Sequence, residues 1–414
     1  MKRRVVITGL STISPAGLTI QRFWDTLTRG RSVVKPISKF NSHGFETRMA
    51  GEIANFNVKD YKFPFMLTRQ LDLFCQYALA ATEDLFENAG VDLERMNKDR
   101  VGIFVGNCLG GVGFGESELY NLYRRGWSEV SQFQATAWFY AAIQGQVSIY
   151  YKLKGMSKTY TADRISSDAA IGNAWRAILL DRIDCAVAGG SEAGLYPYGY
   201  VGYCAANLFS RNNENPESAY RPFCIDADGI VLGEGACFLL LETLEHAKAR
   251  NAPIYGELLA QVSNCDGYHH SKHDPKGKGL ERAIRSCLER AELQAERIDY
   301  INLDGMARRD DDIREANALK SVFGKRIKAI NMSCPKVTYG HTFGAAGAFD
   351  AATNCLVLRD GIIPPTINCE NLRDDLGIDV TPNKSLEKDV NYTMQIATGR
   401  GGLNSAMLIV RYNK

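Results

Sequence analysis

Arg164 lies in the run Thr161-Ala162-Asp163-Arg164-Ile165-Ser166-Ser167, just ahead of an apolar helical pattern. A guanidinium stays protonated and cannot accept an acyl group, so this turn offers fixed positive charge rather than a nucleophile. Asp304, in Asn302-Leu303-Asp304-Gly305-Met306, adds a carboxylate. The run Lys336-Val337-Thr338-Tyr339-Gly340-His341-Thr342-Phe343-Gly344-Ala345-Ala346-Gly347 sets an amine and an imidazole among glycines. Gly399-Arg400-Gly401-Gly402 puts a further cation in a glycine loop. An imidazole and fixed charges of this kind can polarise a carbonyl and stabilise developing oxyanion charge. Each glycine also reads as a tight turn or a close helix approach.

Short apolar runs alternate with helical patterns and must position these groups. Residues 4–8, 101–106, 184–189 and 237–242 read as strands in the first half. Residues 254–262, 298–303, 329–331, 392–397 and 405–412 do so in the second. Several are continuously apolar, as in strands covered on both faces. Helical patterns span 66–88, 145–151 and 279–291, which makes an α/β chain. The polar stretches 210–220 and 266–279 read as surface loops. A division near Arg250-Asn251-Ala252-Pro253 gives two halves, 1–252 and 253–414, with similar element orders.

At 414 residues, 45% apolar and 23% charged, the chain suits two closely packed halves with a large core. A net charge of +2 gives no general affinity for polyanions, so no nucleic-acid role is expected. Eleven cysteines stand singly without C-x-x-C spacing, which fits buried thiols in a reducing compartment. No metal and no cofactor are expected. The apolar stretch after Met1-Lys2-Arg3-Arg4 is too short for a signal or membrane segment, so a cytoplasmic protein without a membrane partner is expected.

Five ordered motifs carry a resemblance to the β-ketoacyl synthases of the thiolase fold. They are Ala188-Gly189-Gly190-Ser191-Glu192, the segment from Arg221-Pro222-Phe223 to Asp228-Gly229-Ile230-Val231-Leu232-Gly233-Glu234-Gly235-Ala236, the Asp304 loop, the 336–347 run, and 399–404. The resemblance implies a layered α/β/α/β/α sandwich of two pseudo-repeated halves. It also places Arg164 where the family has its nucleophilic cysteine, and Asp304 where it has the first of two histidines. His341 and Lys336 match the second histidine and its companion lysine. Met306 and Arg308 replace the hydroxyls that hold the pantetheine arm, and Arg400 replaces a gating phenylalanine.

These losses imply no catalytic residue of the chain's own, with Arg164, Asp304, His341 and Lys336 as a degenerate site and His341 kept as a structural histidine. An Arg164–Asp304 ion pair would fill the pocket, unless Arg164 pairs with Asp163 or Asp168 or turns to solvent. The chain on this reading resembles the chain-length factor, or ketosynthase beta subunit, of bacterial type II polyketide synthases. Its partners would be a cysteine-bearing ketosynthase alpha subunit in a heterodimer and an acyl-carrier protein, with an aromatic product favoured over an aryl polyene. Phe133, Gln134, Ala137 and Trp138, in a helical stretch around 133–151 at the dimer interface, would wall the partner's tunnel. A homodimeric altered acyltransferase using His341, and a carrier-docking pseudoenzyme, remain as alternatives.

Overall fold

The computed structural model of the chain describes residues 3–413. Five strands of the first half, β1 (Val5–Ile13), β2 (Val101–Gly106), β3 (Ser157–Tyr160), β4 (Cys185–Glu192) and β5 (Gly235–Thr243), join five of the second. The latter are β6 (Gly256–Cys265), β7 (Tyr300–Asn302), β8 (Asn331–Ser333), β9 (Tyr392–Gly399) and β10 (Leu403–Val410). Their order is β8-β7-β9-β10-β6-β1-β5-β4-β2-β3. The halves mirror one another. In each, the first strand pairs antiparallel with the last, that with the next antiparallel, and the remaining two parallel. They join where β1 meets β6 at Val6↔Glu257 and Ile7↔Gly256.

Continuous burial explains the unbroken apolar strands: every residue of β1 and of β5 is buried. Seven helices bear on the site: α1 (Leu73–Asn88), α2 (Val112–Arg125), α3 (Ala142–Tyr151), α4 (Ser166–Leu179), α5 (Lys278–Arg290), α6 (Arg309–Phe323) and α7 (Ala346–Asp360). Helices α4 and α7 touch strands of both halves and form the central layer, while α1 covers β1 and β5 and α5 covers β6 and β10. This is the layered thiolase-like α/β architecture. The central layer demands small residues. A Cβ on Gly106 would lie 2.3 Å from the Ser166 carbonyl carbon, and one on Gly347 would lie 1.9 Å from Asp168 Oδ2. These two glycines let β2 and α7 close on the start of α4, beside Arg164.

Some elements differ from the sequence reading. β3 is a short polar strand, Ser157-Lys158-Thr159-Tyr160, formed by parallel pairing with β2 rather than by its own apolar pattern. The helix expected over 66–88 is interrupted, with α1 starting at Leu73 where Asp72 Oδ1 accepts from Phe74 N at 3.1 Å. The stretch 133–151 is likewise two helices, a single turn at Gln134–Ala137 and then α3.

Candidate active site

Arg164 sits two residues before α4, after Asp163 in a left-handed conformation with φ 50°. It is 4% exposed. Its Nε donates to the Thr398 carbonyl at 2.9 Å and its Nη1 lies 3.1 Å from Asp163 Oδ2. A helix N-terminus and burial both oppose a cation. Burial works against the charge, but Asp163, Asp304 and Asp311 outweigh it and hold the guanidinium above its ordinary value. Asp163 in turn is drawn below the carboxylate range: burial would raise it, and Arg164 with the Arg400 N–H, at 2.6 Å, more than compensates.

The direct Arg164–Asp304 pair expected from the sequence does not form. Thr398 stands between them, giving its carbonyl to Arg164 and both its N–H, at 3.2 Å, and its hydroxyl to Asp304 Oδ2. Each charge satisfies itself on one polar side of Thr398, so the alternative partner Asp163 takes the ion pair. The backbone N–H groups of Asp304 and Gly305 donate to Glu315 at 2.8 and 3.0 Å. Burial and then Asp304 push the Glu315 carboxyl up to about 7.

Lys336 is 1% exposed, with Nζ 3.0 Å from Asp350 Oδ2 and donating to the Leu303 carbonyl at 2.6 Å. It thereby ties the Asp304 loop to α7. The Phe343 N–H donates to His341 Nδ1 at 3.0 Å, which leaves the imidazole proton on Nε2. Burial, Lys336 and Arg164 depress His341 well below the ordinary range, so the ring is neutral. Nε2 is buried without a partner. The sequence expectation of a purely structural histidine accounts for Nδ1 but not for this idle donor.

A cavity of about 620 Å³ runs to Arg164, lined also by Lys272, Met306, Arg308, Arg314 and Arg400. Arg400 is thus part of the cavity wall. Asp304, Lys336 and His341 do not line the cavity. Phe133, Gln134, Ala137 and Trp138 also lie outside it. Ala137 is fully buried within its own chain, where a Cβ on Gly111 would lie 2.1 Å from its carbonyl, and the Trp138 ring packs over Gly115 of α2. Sequence reasoning missed the roles of Thr398, which directly precedes Gly399, of Cys108, in the glycine-rich run Gly106-Asn107-Cys108-Leu109-Gly110-Gly111, and of Arg314, which follows three aspartates.

Cys108 Sγ lies 3.6 Å from Asp163 Oδ1 and 3.7 Å from the Tyr203 hydroxyl. Burial, Glu192 and Asp163 push this thiol well above its ordinary value. It remains protonated and weakly nucleophilic. Incubation with acyl-carrier-protein thioesters is expected to leave Cys108 and residues 161–168 unmodified, as checked by peptide mass mapping; an acyl shift on any of them would overturn this reading.

The comparisons with known proteins fit this geometry to a family. The β-ketoacyl synthase N-terminal domain model matches residues 2–247 and the β-ketoacyl synthase C-terminal domain model matches residues 255–370. The chain is 36% identical over 413 residues, 99% of both chains, to a 3-oxoacyl-[acyl-carrier-protein] synthase 2 of Coxiella burnetii. It is 34% identical to the protein of that name in Vibrio cholerae, again over 99% of both chains. Among solved structures, the ishigamide ketosynthase/chain length factor superposes with a TM-score of 0.93 at 27% identity, covering 100% of both chains. The full-length relation to 3-oxoacyl-[acyl-carrier-protein] synthases overturns the chain-length-factor reading drawn from Arg164 and Asp304. The heterodimer with an alpha subunit and the aromatic product rested on that reading and fall with it. Among the described residues no helix is long and apolar enough to cross a membrane. The chain belongs to the β-ketoacyl synthase family.

Proposed function

We propose that this protein acts on malonyl thioesters borne by an acyl-carrier protein and catalyses their decarboxylation, the carbanion-forming half of chain elongation. The observation that supports it is the fixed guanidinium of Arg164, buried yet on the cavity wall, with the neutral His341 in its field. In this reaction the bond from the carboxylate carbon to C2 breaks, its electron pair delocalises onto the thioester oxygen, and CO2 leaves. Water then protonates C2 and an acetyl thioester remains on the carrier. No enzyme-bound acyl group is required, which suits a turn without a thiol. Arg164, on the cavity wall, meets the enolate charge as a preorganised cation, and the neutral His341, buried outside that wall, places no second charge against it. The Asp304 carboxylate, held by Thr398, has its charge turned away from that task. The names of the relatives supply the carrier protein as substrate bearer.

Mass spectrometry of malonyl-carrier protein incubated with this chain is expected to show loss of CO2 with the thioester intact. Arg164→Met should lower the rate by about 10²–10³, the cost of one oxyanion-stabilising group. His341→Ala, at a ring outside the cavity wall, should lower it less. CO2 release no faster than in the carrier protein alone would refute the proposal.

A further inference from the structure

The cavity wall carries five cationic side chains, Arg164, Lys272, Arg308, Arg314 and Arg400, against two carboxylates, Asp310 and Asp311. Arg314, within α6, is 2% exposed. Its Nη2 bonds the Thr398 hydroxyl at 3.2 Å and lies 3.4 Å from Asp311 Oδ1. Its Nε and Nη1 are buried with no partner. Asp311 is shared, since Arg308 Nε lies 3.9 Å from its other oxygen. One carboxylate thus serves two guanidiniums and leaves two buried N–H groups unmet.

A buried cation with unfilled donors is costly, and an apolar ligand in this cavity would leave that cost in place. An oxyanion would remove it. The guanidinium is a planar fork suited to two parallel bonds with carboxylate or phosphate oxygens. Arg164 and Arg314 also hold opposite groups of the same residue, Thr398, so two cations converge on one end of the cavity. Arg308 and Arg400 supply charge nearer solvent.

We propose that Arg314 and its neighbouring arginines form an oxyanion site in the cavity, filled by a carboxylate or phosphate group on the bound ligand. Two sources share that chemistry: a carboxylate on the acyl group, and the phosphodiester of a phosphopantetheine arm. The site stands independently of the decarboxylation proposed above, because binding of a simple anion requires no reaction and no carrier protein.

Isothermal titration calorimetry at low salt with succinate, inorganic phosphate and neutral succinamide tests it. At least one anion is expected to bind more tightly than succinamide. Arg314→Met should weaken that binding about tenfold, the scale of one charge-assisted hydrogen bond, with Arg314→Lys intermediate. Preference for succinate assigns the acyl carboxylate, and preference for phosphate assigns the arm. Should Arg314→Met fail to fold, Arg308→Gln combined with Arg400→Gln, on the outer wall, is expected to weaken binding likewise. Anion binding no tighter than succinamide, or unchanged in the folded variants, overturns the site.

Discussion

Lys336→Met is expected to cost about 3–5 kcal/mol of folding stability, as removal of one member of a buried ion pair does. Lys336 and Asp350 have side chains only 1% and 3% exposed and sit 3.0 Å apart. Burial raises the Asp350 carboxyl to about 6, and the adjacent ammonium keeps it ionised at neutral pH. Without Lys336 the carboxylate is stranded on α7 near Asp168 and Asp304, both of which repel it. The Leu303 and Asp304 carbonyls also lose their donor, which lies at 2.6 and 3.4 Å. Urea unfolding of Lys336→Met, Asp350→Leu and the double variant measures the coupling. The double variant should recover most of the loss, because it leaves no unpaired charge. If Lys336→Met alone unfolds within about 1 kcal/mol of the parent, the pair is not the anchor described here. The same experiment bears on the site, since Lys336 is what holds the Asp304 loop against α7.

The strand and helix pattern was legible because the core strands are continuously apolar and their neighbours helical. β3 escaped notice because four polar residues gain their strand state from β2 rather than from their own sequence. The 336–347 run was legible as a unit, and the structure does bring Lys336, His341, Asp304 and Arg164 into one electrostatic neighbourhood. The partner of Arg164 was not legible. Thr398 lies at the end of a strand more than two hundred residues away and presents three polar groups that separate the two charges. Arg314 was hidden for a different reason. It follows Asp310, Asp311 and Asp312 on a charged helix face that reads as solvated, although its side chain is buried by tertiary packing. The functional assignment failed at another level. It inferred the whole protein's role from five altered positions, Arg164, Asp304, Met306, Arg308 and Arg400, whereas similarity over the full length ties the chain to 3-oxoacyl-[acyl-carrier-protein] synthases. A cation at the Arg164 turn bears on one chemical step; it does not specify which partner or product the site serves.

Stability is expected to fall as pH rises from 7 towards 8, and Glu192→Gln is expected to flatten that fall. Glu192 ends β4 at 2% exposure and accepts from the backbone N–H groups of Cys108 and Leu109. A Cβ on Gly344 would lie 2.4 Å from its Oε1, so the carboxyl is enclosed by chain with no room for water on that side. Burial is the dominant influence and raises the carboxyl to about 8 despite those N–H donors. Between the ordinary glutamate value, about 4.3, and this raised value, the folded protein keeps a proton that the unfolded chain has released. The contribution is therefore intact below the ordinary value, declines by about 1.4 kcal/mol per pH unit, and levels off above the folded value. Asp168, raised to about 7 by burial and Asp350, adds the same sign over a window that closes earlier. Glu242, drawn down to about 2 against its burial by His246, Arg250 and Thr8, acts only in acid and does not enter this range. His341 opposes the trend only below the ordinary histidine value, because it is already neutral when folded. Buried thiols join only as pH nears their own ordinary value, whereas Glu315, raised to about 7 by burial, Asp312, raised well above the carboxylate range by burial, and His246, raised by its bond to Glu242, act with the same sign, so only the difference between parent and Glu192→Gln assigns the share of Glu192. Urea denaturation midpoints at pH 7 and 8, parent against Glu192→Gln, give the comparison. Equal slopes in the two proteins would show that Glu192 is already ionised in the fold, and would remove the protonated carboxyl from beneath the Cys108 turn.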